Sequence, residues 1–391
     1  MNKINELIQQ YCPDGVEYKP LGSLCKIETG KLNANAAVKN GRYLFFTTAK
    51  EPDRIDTYRW DTEALLVAGN ANIGNVKHYN GKFNAYQRTY VLTGFSEEVI
   101  VKFIYYSLSN NLKTYLGNHK NKAAMTYIVL STLENFEVPV PALPVQREIV
   151  RLLDEFSLLS AELAAELAAR KQQYRYYRDK LLTFNTNVEH FLMGDLFDFR
   201  NGLSKGKDFF GKGIPFIRYT DVYNNRYLKE NVLDALVECS DSEKAKLKVS
   251  RGDVLFTRTS ETAEDVGWSS VMLDNIDECV FNGFTIKASP KTNKLLPEYC
   301  AYCFTTDDFR NYVTSHCAFT TRASLTGTTI AEYNLPVPSL DTQKRIADIL
   351  DNFERICNDL GHGLPAEIEA RKEQYEYYRE KLLTFKRKEN S

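Results

Sequence analysis

Val138-Pro-Val-Pro-Ala-Leu-Pro-Val-Gln146 leads into Arg170-Lys-Gln-Gln-Tyr-Arg-Tyr-Tyr-Arg-Asp-Lys-Leu-Leu-Thr-Phe184, and the same block returns near the end of the chain. There Leu335-Pro-Val-Pro-Ser-Leu-Asp-Thr-Gln343 leads into Arg371-Lys-Glu-Gln-Tyr-Glu-Tyr-Tyr-Arg-Glu-Lys-Leu-Leu-Thr-Phe385. The offset is 197 residues at Gln146 and Gln343 but 201 at Arg170 and Arg371, so the second copy gains about one helical turn. Similarity at a fixed period marks a repeated structural unit. The chain is a tandem duplication.

From Val145 the apolar and aromatic positions run 145, 149, 152, 156, 159, 163, 167, then 174, 177 and 181, with Arg170 interrupting the series. This is the 3.6-residue period of one long amphipathic helix, roughly 60 Å at about 1.5 Å per residue. Ser160-Ala-Glu-Leu and Ala164-Ala-Glu-Leu167 form a small tandem repeat of helix formers inside it. The second copy carries the same stripe through Ile346, Ile349, Phe353, Tyr375 and Leu382. Gly361-His-Gly-Leu-Pro365 should break it, with a fresh start at Pro365 and two collinear pieces. The apolar faces are expected to bury each other in an antiparallel pair, through Ile149, Leu152, Phe156, Leu163 and Tyr174 of the first copy and Ile346, Ile349, Phe353 and Tyr375 of the second. Tyr174, Tyr176, Tyr177 and Tyr375, Tyr377, Tyr378 cover more than one helix face, so the remainder is either plain amphipathic surface or a docking surface.

A weaker repeat aligns Val16-Glu-Tyr-Lys-Pro-Leu-Gly-Ser-Leu24 with Val188-Glu-His-Phe-Leu-Met-Gly-Asp-Leu196, and Gly30 with Gly202, at an offset of 172. The order is circular: domain, helix, domain, helix. The expected fold is α+β, with two similar mixed domains at 1–137 and 188–334 and helical spacers at 138–187 and 335–391, related by a pseudo-two-fold. Short apolar runs at Tyr43–Phe46, Ala64–Val67, Tyr90–Leu92, Val254–Phe256 and Val280–Phe281 read as strands, and 98–117 and 297–314 as helices.

With 391 residues, 43% hydrophobic and 26% charged, the composition is that of a soluble globular protein. No apolar run approaches a membrane span, and Met1-Asn-Lys-Ile-Asn-Glu is too polar for a signal peptide, so a cytoplasmic location with eight reduced cysteines is expected. The net charge is −1; residues 1–137 hold 16 basic against 13 acidic side chains, and residues 188–334 hold 17 against 21. A polyanion site must therefore come from local placement and not from bulk charge.

Gly206-Lys-Asp-Phe-Phe-Gly-Lys212 nearly spells a phosphate-binding loop, but Gly213 replaces the hydroxyl residue and no apolar strand leads in. Cys300 and Cys303 have metal-like spacing, yet both sit in an amphipathic stretch where small apolar residues belong in the core. No catalytic constellation is present: no Asp/Asn-Pro-Pro-Tyr/Phe, no Gly-x-Ser-x-Gly, no His-Glu-x-x-His, and only five histidines. The expectation is binding without catalysis, cofactor or metal.

Loops rich in amides, aromatics and arginine are the candidate DNA contacts. They comprise Asn70, Asn72, Lys77, Tyr86, Gln87, Arg88, Lys120 and Lys122 in the first domain. In the second they are Arg218, Tyr219, Asn224, Arg226, Arg258, Thr259, Ser260, Thr321 and Arg322. Asn, Gln and Arg can read base edges in pairs of hydrogen bonds, whereas Lys, Ser and Thr hold phosphates.

At its paired blocks the chain resembles the specificity subunit of type I restriction-modification systems over nearly its whole length. The resemblance rests on Pro-x-Pro-x-Leu-x-x-Gln at Pro139–Gln146 and Pro336–Gln343, and on Arg-Lys-x-Gln-Tyr-x-Tyr-Tyr-Arg at Arg170–Arg178 and Arg371–Arg379. Tyr11-Cys-Pro-Asp-Gly-Val-Glu17 also fits, and the Ala-Glu-Leu repeat with Gly363–Arg371 is similar to the type IC subgroup. The resemblance implies two target recognition domains, each reading one half of a bipartite asymmetric sequence in double-stranded DNA, with the helices fixing the gap. It further implies that two methyltransferase (modification) subunits and restriction/translocase subunits supply the chemistry. The acidic balance of residues 188–334 then suggests that the isolated chain binds DNA weakly. A self-contained DNA methyltransferase, a coiled-coil scaffold without a DNA role and an RNA binder are the alternatives.

Overall fold

The computed structural model describes residues 2–118, 127–184, 188–358 and 363–389. The fold is α+β and divides into two units, Met1–Ala164 with Glu367–Ser391, and Ala165–Ala366. Lys120 and Lys122 lie outside the described residues, as do Gly361 and His362.

The first unit opens and closes on one strand pair. Glu17–Pro20 runs antiparallel to Glu137–Val140, with Tyr18 opposite Pro139. Between them a six-stranded sheet has the order Lys26–Thr29, Thr89–Thr93, Trp60–Ala68, Val76–Ala85, Tyr43–Phe46, Asp53–Ile55. All neighbours are antiparallel except Tyr43–Phe46 beside Val76–Ala85. Successive residues of the central strand point to opposite faces. Leu65 and Val67 pack with Phe103, Ile104 and Leu112 of the Val101–Asn118 helix, while Leu66 joins Phe46, Trp60 and Phe83. Both faces are covered, which explains why Ala64–Val67 reads as an unbroken apolar run.

The second unit repeats this plan. Glu189–Leu192 pairs antiparallel with Asn334–Val337. The main sheet has the order Phe197–Asn201, Thr285–Pro290, Val254–Thr257, Ser269–Met272, Tyr227–Leu228. Its first four strands match the first four of the other sheet in order and in antiparallel direction. The glycine alignment has a physical cause. A Cβ on Gly30 would lie 2.1 Å from the Ala85 carbonyl oxygen, and one on Gly202 would lie 2.2 Å from that of Asn282. At both points two backbones touch, and only glycine fits.

The 297–314 stretch is two helices, Pro297–Cys303 and Asp307–His316, and not one. Thr306 interrupts it: its hydroxyl accepts the Phe309 amide at 3.2 Å and caps the second helix. Gly206–Lys212 is a short 3-10 turn running into the strand Phe210–Ile217, so it presents no helix N-terminus to a phosphate.

The helix Leu143–Leu182 is continuous over 40 residues, whereas the second copy forms Leu340–Asn358 and Leu364–Leu383. In the first unit Phe156 stacks on Tyr378, at 5.7 Å between ring centroids, with Tyr375 at 6.3 Å; Ile149 and Leu163 are buried and Leu152 half-buried. In the second unit Phe353 stacks on Tyr177 at 5.8 Å; Ile346 is buried and Ile349 half-buried. Phe156 and Phe353 are equivalent in the repeat, as are Tyr378 and Tyr177.

The recurrent glutamine explains the Pro-x-Pro-x-Leu-x-x-Gln block. Gln146 is fully buried; its Oε1 accepts the Ile100 amide at 2.8 Å, and its Nε2 donates to the carbonyls of Glu98 (2.8 Å) and Pro141 (2.7 Å). Gln343, also fully buried, does the same with Leu296, Lys294 and Pro338, each at 2.8 Å. Each glutamine ties the start of a long helix to the loop that leads into the helix covering the adjacent sheet.

Candidate nucleic-acid interface

In the first unit three backbone segments converge. The Gly69 amide donates to the Arg88 carbonyl at 2.8 Å, and the Ile128 amide to the Gly69 carbonyl at 2.7 Å. Asn70 bridges to Tyr127, and the Arg88 guanidinium lies 5.3 Å from the centroid of the Tyr127 ring. Gln87 and Arg88 are exposed, Tyr127 is 47% exposed, and Tyr86 is half-buried. Asn70, Tyr86, Gln87 and Arg88 are thus brought together, and Tyr127 joins them. Among the described residues, Asn70 Oδ1 is buried without a hydrogen-bond partner. Asn72 and Lys77 brace the loop from behind: Asn72 Nδ2 donates to the Thr48 carbonyl at 2.8 Å and Lys77 Nζ to the Ala49 carbonyl at 2.7 Å. Burial holds the Lys77 ammonium below the usual lysine range.

The second unit builds the same frame with other side chains. The Arg258 amide donates to the Phe284 carbonyl at 2.8 Å, and the Leu325 amide to the Arg258 carbonyl at 2.8 Å. Arg258 therefore stands where Gly69 does, Phe284 where Arg88 does, and Leu325 where Ile128 does. Thr259 pairs with Ser324 and Ser260 with Ala323, and Ala323 also pairs with Phe319. The turn of that hairpin carries Thr321 and Arg322, both exposed. Arg258, Thr259, Ser260, Thr321 and Arg322 form one cluster; Phe284 and Phe319, 58% and 59% exposed, complete it.

Arg218, Tyr219 and Asn224 lie on another segment of the second unit. Asn224 is exposed, but the Arg218 guanidinium is held by two carboxylates, Asp221 at 2.8 Å and Asp234 at 2.5 Å. Tyr219 stacks on Tyr223 and donates to the Asp265 carbonyl at 3.4 Å.

Arg226, the remaining candidate of the second unit, is engaged by its own fold. Its guanidinium is paired with Glu354 at 2.6 Å, donates to the Ala301 carbonyl at 3.0 Å, and lies 4.4 Å from the centroid of the Tyr302 ring. Only 17% of the side chain is exposed. Arg226 immediately precedes the strand Tyr227–Leu228, and its pair with Glu354 braces the Leu340–Asn358 helix.

The two cysteines at metal-like spacing belong to the core. Cys300 and Cys303 are buried, Cys303 donates to the Tyr299 carbonyl at 3.3 Å, and burial pushes the Cys300 thiol up to about 12. Among the described residues no group of three or more His, Cys, Asp or Glu side chains is placed to hold a metal ion. Likewise no described helix is long and apolar enough to cross a membrane.

On the helices Tyr176 and its repeat equivalent Tyr377 are the most exposed tyrosines of their clusters. Tyr176 is 60% exposed with Lys180 over its ring at 5.7 Å; its repeat equivalent Tyr377 is 59% exposed with Lys381 at 5.8 Å.

A family model described as the type I restriction modification DNA specificity domain matches residues 13–169 and 185–370. The chain is 29% identical over 303 residues to the type I restriction enzyme EcoR124I/EcoR124II specificity subunit of Escherichia coli, covering 75% of this chain and 72% of that one. It is 37% identical over 171 residues to the EcoDI specificity subunit of the same organism, 43% of this chain and 37% of the relative. Among solved structures it resembles a type I restriction-modification S subunit from M. genitalium, with a TM-score of 0.55, 15% identity, and coverage of 94% and 96%. A chain from a structural study of complex assembly and conformational transition in the type I R-M system aligns at a TM-score of 0.64, with 13% identity and coverage of 94% and 97%. At these identities the structural likeness is one of fold.

Proposed function

The chain belongs to the type I restriction-modification DNA specificity family, and on that premise we propose that it selects the DNA sequence on which a type I complex acts. Residues 1–137 and 188–334 are the two target recognition domains, and each reads one half of a bipartite asymmetric target in double-stranded DNA. Residues 138–187 and 335–391 are helical spacers that set the unread gap and dock two methyltransferase subunits, with restriction/translocase subunits completing the assembly in the cytoplasm. The chain itself is non-catalytic; adenine-N6 methyl transfer and cleavage reside in its partners.

One observation carries this reading. The frame of Gly69, Arg88 and Ile128 recurs as Arg258, Phe284 and Leu325, with the same hydrogen bonds and different side chains. A scaffold would keep both surface and frame, whereas two reading heads for two different half-sites keep only the frame. Arg88 with Gln87 and Asn70, and Arg258 with Arg322, have the donor chemistry for base edges; Thr259, Ser260 and Thr321 suit phosphates. The repeated exposed pairs Tyr176–Lys180 and Tyr377–Lys381 suit two copies of one partner, because packing does not account for an unchanged exposed tyrosine.

The test is co-expression with the neighbouring modification subunit and genome-wide mapping of N6-methyladenine. A split motif with a fixed gap is expected, absent without this chain and relaxed in one half-site each by Arg88→Ala and Arg258→Ala. An assembled complex whose methylation ignores both substitutions would favour a scaffold.

A further inference from the structure

Phe284 is held still and left in water. Its amide donates to Asn282 Oδ1 at 2.5 Å and its carbonyl accepts the Arg258 amide at 2.8 Å. On one side of it the Gly283 amide donates to the Leu203 carbonyl at 2.8 Å. On the other the Thr285 amide and hydroxyl both reach the Asn282 carbonyl, at 3.0 and 2.7 Å. A Cβ on Gly283 would lie 2.6 Å from Ser204 Oγ and 3.0 Å from the Leu203 carbonyl oxygen, so the turn is closely packed against the neighbouring loop. The amide and the carbonyl of both Gly283 and Phe284 are thus hydrogen-bonded, yet the Phe284 side chain is 58% exposed. A rigid apolar side chain with only two rotatable bonds loses little entropy when a partner covers it.

Its place in the frame identifies the partner. In the first unit the equivalent position is Arg88, a hydrogen-bond donor beside Tyr127. In the second unit the guanidinium has moved one strand over to Arg258, whose Nη1 donates to the Gly283 carbonyl at 3.4 Å, and a phenyl ring has taken its place. In the major groove the one apolar group on any base edge is the C5 methyl of thymine. We infer that Phe284 reads a thymine of the second half-site through that methyl, beside a base read by Arg258. The inference rests on the function proposed above and adds to it a chemical distinction between the two half-sites.

Deoxyuridine isolates the methyl, because it keeps every hydrogen-bonding group of thymine and lacks only that carbon. The complete complex, its motif already mapped and the second half-site assigned by Arg258→Ala, is given duplexes in which each thymine is replaced in turn by deoxyuridine. One replacement in the second half-site is expected to slow methylation about 5-fold, the worth of one buried methyl. Phe284→Ala abolishes that difference between thymine and uracil, Phe284→Leu retains part of it, and neither alters the response of the first half-site. A second half-site without thymine, a flat deoxyuridine series, or unchanged sensitivity in Phe284→Ala would each overturn the inference. A ring wedged between base pairs would give the flat series. Absence of any chain-dependent split motif would instead overturn the underlying function, and the inference with it.

Discussion

Arg178 and Asp307 are joined by an ion pair of 2.7 Å, and the repeat converts it into a neutral contact. In the first unit the equivalent Arg379 donates to Asn110 Oδ1 at 2.9 Å. Both arginines tie the second half of a long helix to a helix of the adjoining domain. Arg178→Ala should cost about 2 kcal/mol and Arg379→Ala about 1 kcal/mol, since hydrogen bonds between charged groups contribute more than those with a neutral partner. Raising the salt should shrink the first loss and leave the second nearly unchanged, because the exposed Asp307 end is screened. Urea melts at two ionic strengths check this; equal salt dependence would contradict it.

Gln146→Ala leaves one amide and two carbonyls without their buried partner. A loss of about 3 kcal/mol is expected, and Gln343→Ala should match it within about 1 kcal/mol because the two sites are the same. Gln→Glu should be worse than Gln→Ala, since a carboxylate there faces two carbonyl oxygens. Thermal unfolding of the four variants decides it.

Arg226→Ala should cost about 2–3 kcal/mol by taking the guanidinium from a largely buried pair with Glu354. The sequence recognised should stay the same, unlike the result for Arg258→Ala. A methylation map of the Arg226 variant that shows a relaxed half-site would return this residue to the reading surface.

Glu148 is held down to about 2 by hydrogen bonds from Arg151 and from Lys3, at 2.8 and 2.9 Å. Its folded-state value lies below the ordinary carboxylate value of 4.5, so its stabilising contribution is complete above pH 4.5 and fades as pH falls towards 2. Glu148→Gln should therefore destabilise the chain at pH 7 but make little difference near pH 2.5. A stability difference that stays constant across that range would be the wrong outcome.

Inserting one Ala-Glu-Leu-Ala unit after Leu167 lengthens the helix by about 6 Å, more than the roughly 3.4 Å rise of one base pair. The gap in the methylated motif should widen while both half-sites keep their bases. An unchanged gap would argue that the helix is no ruler. The division between the two units, at Ala164 and Ala165, falls within this repeat.

Much of the fold was legible because helical periodicity accumulates over many turns. The stripe from Val145 to Leu181 predicts an unbroken helix, and Leu143–Leu182 is one. The doubled blocks named Phe156 and Tyr375 for the helix pair, and their rings lie 6.3 Å apart, but the ring stacked on Phe156 is that of Tyr378, which the expected set did not include. The interruption at Thr306 was harder to see: a single hydroxyl capping a new helix carries no periodic signal. At the site, sequence chemistry named Arg88 and Arg258, but residue type does not tell direction. Arg226 has the composition of a reading residue and points inward. Phe284 has the composition of a core residue and points outward. The glutamine at the end of Pro-x-Pro-x-Leu-x-x-Gln was visible as a pattern, and its three buried hydrogen bonds were not.

The strand pairs Glu17–Pro20 with Glu137–Val140 and Glu189–Leu192 with Asn334–Val337 have a consequence for heredity. Each clasps the two ends of a domain against each other, so what lies between can be exchanged as a block, provided the newcomer keeps the contacts to the helices made here by Ile100, Asn110, Arg226 and Asp307. A gene conversion with both crossovers in the coding sequence of one clasp would replace one recognition domain whole.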